Sequence, residues 1–346
     1  MEFSVCVPGR VNLIGEHIDY LAFPVLPMAI TRRMSLHVTP RSDRVIRVTS
    51  GEYGTREFEW TPELTPYPQG DFGNYLKAAA QVVAARWGIA GGFEGTLTST
   101  IPSAAGLSSS SALVTAVVLA LLRLAEIAPE FESLMEVLPE GEQYVGTRGG
   151  GMDHAVCLAG KRGHALRIGF NPVTVQPEPV PPYWAFFVAH SLRRAEKSGA
   201  AREAYNHRRA LAQAGDPSAL RHAVSERDRV EQAITAMRRG DLPAFGALLD
   251  ASHRSLRDDL QVSCAEADEL VESCRKAGAA GARIMGAGFG GYVVGLCDRQ
   301  QVRDVMARLE RDHFRPKPER AEFSDYLMQV EAGEGALGLV KALRGW

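Results

Sequence analysis

Short apolar runs broken by turn residues fill the first sixty positions, and the apolar spacing becomes helical in the second half. Residues 3–7, 25–30, 34–39, 45–50 and 58–60 read as strands. Residues 74–88 form an amphipathic pattern that stops at Gly88, which predicts a helix. Residues 93–98 alternate like a strand, and 114–125 are apolar and helix-compatible. Between them runs Ile101-Pro-Ser-Ala-Ala-Gly-Leu-Ser-Ser-Ser-Ser-Ala-Leu113, so this small-residue stretch is a loop that joins a strand to a helix. A helical stretch over about 131–145 follows, then a helix from 155 and strands at 164–168 and 184–190. Helical periodicity dominates 196–214, 217–238, 242–253 and 264–277, with charges on one side. A short strand at 282–285, a glycine run, a strand at 292–297, a helix at 300–311 and a strand at 323–331 complete the pattern. The change of character near 180–190 sets the expected boundary between an N-terminal domain, 1–185, and a C-terminal domain, 186–346. Strands and helices do not alternate as βαβ units, so both halves are expected to be α+β.

A chain of 346 residues can bury two cores. Its 45% hydrophobic and 23% charged content is that of a globular protein. A net charge of -2 gives no basic field for nucleic acid. The five cysteines are scattered and include no Cys-x-x-Cys pair, which suits a reduced, cytoplasmic protein with inert thiols. The N-terminus has neither a basic start nor a long apolar run, so no secretion leader is expected. The most apolar stretch, near 112–121, is too short to span a bilayer, and no membrane association is expected. No heptad seam stands out, which favours a monomer.

Three polar or glycine-rich stretches carry candidate chemistry. A loop of small residues opening a helix offers backbone N–H groups and the positive end of the helix dipole, a site for phosphate. An ordinary serine N-cap reads the same way locally. Gly286-Ala-Gly-Phe-Gly-Gly291 lies between two predicted strands, which favours a hairpin over a dinucleotide-binding turn. Arg10, Asn12, Glu16, His17, Asp19 and Tyr20 crowd one stretch, either as a solvated loop or as a reader of a polyhydroxylated ligand. His17 has no second metal-ligand partner at a suitable spacing. Asp153 follows Gly149-Gly-Gly-Met152 and suits a general base or a helix-capping turn.

Taken together, these stretches resemble known motifs. Pro8-Gly-Arg-Val-Asn-Leu-Ile-Gly-Glu-His-Ile-Asp-Tyr20 resembles the galactokinase signature. Residues 102–112 resemble the phosphate loop of the GHMP small-molecule kinases, and Met285-Gly-Ala-Gly-Phe-Gly-Gly291 resembles their third motif. Tyr205-Asn-His-Arg-Arg209 and Ser252-His-Arg-Ser-Leu-Arg-Asp-Asp259 are similar to galactokinases in particular. The finer match, with Ile18 where bacterial galactokinases usually carry Thr, resembles the branch of plant-type galactokinases and N-acetylgalactosamine kinases.

The resemblance implies a two-lobed GHMP kinase fold with a ferredoxin-like C-terminal domain. It implies ATP-dependent phosphorylation of the anomeric hydroxyl of galactose, with N-acetylgalactosamine or another sugar as the alternative acceptor. A non-catalytic sugar and nucleotide sensor is the alternative from another class; the full-length serine loop and Asp153 argue against it. Arg10 and Asp153 would flank the reacting hydroxyl. Gly106, Leu107, Ser108, Ser109, Ser110 and Ser111 would bind nucleotide phosphates. Ser110 would hold Mg2+ with Glu142, although Glu140 lies only two residues away. Glu16, His17, Asp19, Gly150 and Tyr205 would read sugar hydroxyls beside Arg10 and Asp153, and adenine would pack near Phe72 and Tyr75. Two departures touch the acceptor side: His154 stands where the family usually has Gln, and Leu21-Ala-Phe-Pro24 replaces a Gly-containing turn.

Overall fold

The chain enters through one long strand, β1 (Phe3–Ile14), which pairs antiparallel with β2 (Leu26–Pro40). The sequence pattern predicts a strand only to residue 7 and a loop after it. Pairing continues instead through register shifts at Pro8/Arg10 and Asn12/Ile14, which absorb the Pro and Gly and re-aim the polar side chains. Likewise the two runs at 25–30 and 34–39 are one strand, β2. The computed structural model describes residues 1–102, 106–146, 150–193, 200–323 and 325–342, without the side chains of 142, 143, 200–202, 341 and 342.

The first half continues with β3 (Val45–Ser50), β4 (Gly54–Glu59), α1 (Gly73–Trp87), β5 (Phe93–Ser99), α2 (Ser109–Leu124), α3 (Phe131–Tyr144), α4 (Met152–Ala159), β6 (His164–Gly169) and β7 (Thr174–Pro179). Its sheet has the order β1-β2-β5-β3-β4, and β3 and β5 are its parallel pair. The apolar helix α2 packs on β1 and β2 and is buried from Ser111 to Leu122. β6 and β7 form a two-stranded ribbon that the sequence pattern half misses, because Pro177 and the polar residues of β7 hide it.

The second half holds β8 (Trp184–His190), α5 (Ala200–Gln213), α6 (Pro217–Arg239), α7 (Leu242–Asp258), α8 (Ala265–Lys276), β9 (Gly281–Ile284), β10 (Tyr292–Asp298), α9 (Val302–Leu309), β11 (Leu327–Val330) and α10 (Ala336–Ala342). The closing strand is shorter than the predicted 323–331, and α10 lies beyond the predicted elements. Local chemistry fixes α6: Asp216 accepts hydrogen bonds from Ser218 N and Ala219 N, Pro217 opens the first turn, and left-handed Gly240 ends it.

The antiparallel sheet β11-β8-β10-β9 separates two apolar cores. Trp184, Phe186 and Val188 face a core shared with the first sheet, whereas Ala185, Phe187 and Ala189 face one built with α8 and α9. Period-two alternation buried on both faces explains why β8 reads as an unbroken apolar run. The shared core lets α6 and α7 reach β1, and there the polar residues gather.

Candidate active site

The site begins where the strand β1, the loop before α2 and the first turn of α4 meet. Arg10 is 4% exposed, and its backbone N donates to Leu107 O at 3.1 Å. Its guanidinium donates from Nε to Asp153 Oδ1 at 2.8 Å, places its NH2 group 2.7 Å from the same oxygen, and donates from NH1 to Gly106 O at 2.5 Å. Ser108 Oγ donates to the other carboxylate oxygen, Asp153 Oδ2. Burial alone would lower the Arg10 pKa, but Asp153 and then Glu16 outweigh it and the pKa is raised. The guanidinium is therefore a fixed positive charge at the start of the serine loop.

The turn after β1 carries the next group of polar residues. His17 Nε2 donates to Ala287 O at 3.2 Å, and Nδ1 lies 3.4 Å from the Tyr20 hydroxyl. Burial, with His222 and Arg283 adding to it, pushes the imidazole down to about 3, so it is neutral. The Tyr205 ring, from α5, stands 5.2 Å from the His17 ring and 6.3 Å from that of Tyr20. Asp19 Oδ2 accepts from Gly150 N at 3.0 Å. A Cβ on Gly150 would lie 2.5 Å from Asp19, so only glycine allows this approach. Burial pushes Asp19 up to about 6, and the negative charges of Asp153 and Glu16 add to the shift.

Glu16 is 4% exposed and joins the turn to the glycine run. Its Oε2 accepts from Gly286 N at 2.9 Å and from Arg283 NH1 at 3.0 Å. The glycine run is the hairpin turn between β9 and β10, as its place between two strands predicts. It also passes beside the serine loop: a Cβ added to Gly286 would lie 3.7 Å from Gly106.

The structure thus brings Arg10, Glu16, His17, Asp19, Gly150, Asp153 and Tyr205 around one region with Gly106, Leu107 and Ser108. Ser109, Ser110 and Ser111 form the first turn of α2; Ser109 and Ser110 are half-buried and Ser111 is fully buried. Phe72 caps the N-terminus of α1, its ring 5.6 Å from that of Tyr53 and 5.6 Å from the Arg56 guanidinium; Tyr75 follows one turn on and is half-buried. The Glu142 side chain, and residues 103–105 and 147–149, lie outside the described residues. Glu140 is exposed on α3. Among the described residues no group of three His, Cys, Asp or Glu could hold a metal. Magnesium beside nucleotide phosphates takes one or two carboxylates and keeps other oxygens, so Ser110 could add a hydroxyl but the carboxylate has to come from elsewhere, and the expected one, Glu142, lies outside the described side chains.

Both departures are structural. His154 is fully buried, with Nδ1 3.3 Å from Thr115 Oγ1 on α2. The turn after Tyr20 closes through Ala22, which takes the left-handed backbone (φ 60°) a glycine would adopt more cheaply.

The sequence pattern does not single out the residues that hold the turn. Glu226 Oε1, on α6, accepts from Gly15 N at 2.9 Å, Glu16 N at 3.2 Å and Ser252 Oγ at 2.8 Å, while Oε2 pairs with Arg229 at 2.7 Å. His222 Nε2 donates to Glu16 O at 2.9 Å. Arg283 donates to Asn12 O and Leu13 O at 2.5 and 2.8 Å. A signal existed: His222 and Glu226 stand four apart within an α6 stripe otherwise made of Ala219, Ala223, Val230 and Ala233. A charge on a helix face of that kind is buried and needs partners.

Comparisons with known proteins identify the family. Residues 74–161 match the family model for the GHMP kinase N-terminal domain, and 233–315 match its C-terminal counterpart. The fold and the serine loop are those of a GHMP kinase; a mevalonate kinase from Methanococcus jannaschii superposes with a TM-score of 0.74 at 16% identity, covering 96% of this chain and 99% of that one. Residues 1–40 match the galactokinase galactose-binding signature. A galactokinase from Chloroflexus aggregans is 34% identical over 87% of this chain and 85% of its own, and human galactokinase is 33% identical over 90% and 88%. A galactokinase from Lactococcus lactis, solved with galactose, superposes with a TM-score of 0.85 at 27% identity, covering 96% of this chain and 94% of that one. The chain belongs to the galactokinase family.

Proposed function

We propose that this chain transfers the γ-phosphoryl group of ATP to the anomeric hydroxyl of D-galactose, giving α-D-galactose 1-phosphate and ADP. The observation that carries the reading is the Asp153 carboxylate, held by Arg10 on one side and by the serine loop on the other. Such a carboxylate can take the hydroxyl proton as the phosphoryl group transfers. Arg10 sits beside this carboxylate and offsets charge on the phosphoryl oxygens. The amides opening α2 bind phosphates, helped by the helix dipole. Phosphoryl transfer is mostly positioning and charge neutralisation, so these groups suffice. Sugar hydroxyls are read by Glu16, His17, Asp19, Gly150 and Tyr205, and adenine packs near Phe72 and Tyr75.

The Ser110 hydroxyl and the Glu142 carboxylate would hold a magnesium ion brought with ATP, which would supply neutralisation of phosphate charge. Exposed large apolar side chains among the described residues, such as Tyr53, Tyr183, Leu220 and Val224, are few and support a monomer. Five free thiols support a reducing, cytoplasmic setting.

A panel of sugars in a coupled assay for ADP release tests the reading. Galactose-dependent, magnesium-dependent release is expected. Release with N-acetylgalactosamine at higher kcat/KM than with galactose would move the acceptor, and no release with any hexose would overturn the reading.

A further inference from the structure

One residue of the serine loop has a geometry that phosphate binding does not explain. Ser108 precedes α2 with φ 61° and ψ 36°, the left-handed region that favours glycine. A serine in front of a helix normally keeps extended backbone and accepts from the helix amides. Ser108 makes no such cap bond. It is 1% exposed, and its hydroxyl donates to Asp153 Oδ2. The left-handed backbone thus turns the hydroxyl away from the amides and onto the carboxylate.

Arg10 grips one side of the carboxylate. Its Nε and its NH2 group both approach Oδ1. The terminal torsion of an aspartate is broad, so a grip on one oxygen fixes the carboxylate's position better than its rotation. Ser108 holds the second oxygen from the opposite element. The same loop is tied to Arg10 through Gly106 O and Leu107 O, so donor loop, guanidinium and carboxylate form one connected unit.

We infer that Ser108 is a positioning residue for Asp153: its side chain orients the general base toward the acceptor hydroxyl and is not a ligand of the nucleotide. The inference rests on the reading of Asp153 as the base under "Proposed function". It accounts for a serine at a position where the backbone alone would favour glycine.

The test compares Ser108→Gly with Ser108→Ala, because the two have opposite backbone effects and the same loss of the hydroxyl. Kinetic constants for galactose and ATP are measured with thermal midpoints. Both variants are expected to lose about tenfold or more in kcat, with both KM values within about threefold of the parent. Ser108→Gly is expected to melt at or above the parent temperature. Ser108→Gly with kcat within about twofold of the parent would overturn the inference. So would a raised KM for ATP with kcat intact, which makes the hydroxyl a nucleotide ligand, or a collapse in melting temperature, which makes it a structural bond. A parent enzyme with no galactose-dependent turnover would instead remove the reaction, and with it the base that Ser108 is assigned to serve.

Discussion

Residues 106–111 and residues 15–21 approach the same Arg10–Asp153 pair, yet they are held in different ways. The serine loop is fixed mainly from within the N-terminal half, by Arg10, Asp153 and the start of α2. The turn that carries Glu16, His17 and Asp19 is fixed from the other half of the chain. Glu226, His222 and Arg283 take up the backbone of residues 12–16, and Ala287 receives His17. The serine loop therefore depends on a local motif, and the turn proposed to read the sugar depends on buried polar groups more than two hundred residues away in sequence. On the proposed reading, substitutions in α6 or β9 should reshape the sugar side while leaving the phosphate side intact.

The sharpest way to break this division is at the shared pair. Asp153→Asn should lower kcat by about a thousandfold or more, while galactose binding, measured by calorimetry, stays within about threefold. Loss of binding together with turnover would make Asp153 a sugar ligand first and a base second.

Next comes the remote support. Glu226→Ala removes a fully buried carboxylate, leaving the Gly15 and Glu16 amides and the half-buried Arg229 without it, and should cost about 3–5 kcal/mol in unfolding free energy. Glu226→Gln keeps the shape and should raise the KM for galactose several-fold with little change in that for ATP. Equal rises for both substrates would deny that the C-terminal half governs only the acceptor side.

Acid should loosen the same support. His17 is pushed down to about 3 and His253 and His313 to about 4, each chiefly by burial, and His222 is lowered for the same reason. Burial alone would raise Glu226, but His222, Arg229 and Arg283 outweigh it and pull its carboxyl down to about 2. The unfolded chain binds more protons at all these groups, so stability is full above about pH 6.5 and is lost as pH falls toward 4. Asp19 works in the opposite sense: its raised pKa contributes stability at low pH that is lost as pH rises through about 6. Asp250 is also raised by burial, but two carboxyls do not offset four histidines. The unfolding free energy from urea titrations should therefore fall between about pH 7.5 and pH 5, by about 2 kcal/mol or more; a flat profile would mean that the histidines titrate alike in the folded and the unfolded chain.

The smallest effect concerns Asp19 itself. If the ionised carboxylate reads a sugar hydroxyl, the KM for galactose should rise about fourfold as pH falls from about 7.5 to 5.5, and Asp19→Asn should remove that dependence.

The same contrast explains what the sequence made legible. The serine loop, Arg10 and Asp153 are short-range patterns, and the structure brings them together. The hairpin reading of residues 286–291 also matches, because two strands flank it. The strand character of residues 8–14 is hidden by Pro8, Gly9 and the polar side chains that the bulges re-aim. Glu226 and His222 look like ordinary helix polar residues until α6 is seen against β1 and α7. Ser252 belonged to a recognisable stretch, but its task, a hydrogen bond to Glu226, needed the fold.

Transfer to the anomeric oxygen is tested most directly by the product it leaves. Phosphorus NMR of the reaction with galactose and ATP should show one new phosphate coupled to the anomeric proton with the α-configuration coupling. A phosphate coupled to the C6 protons, or ADP formed with no sugar phosphate, would contradict it.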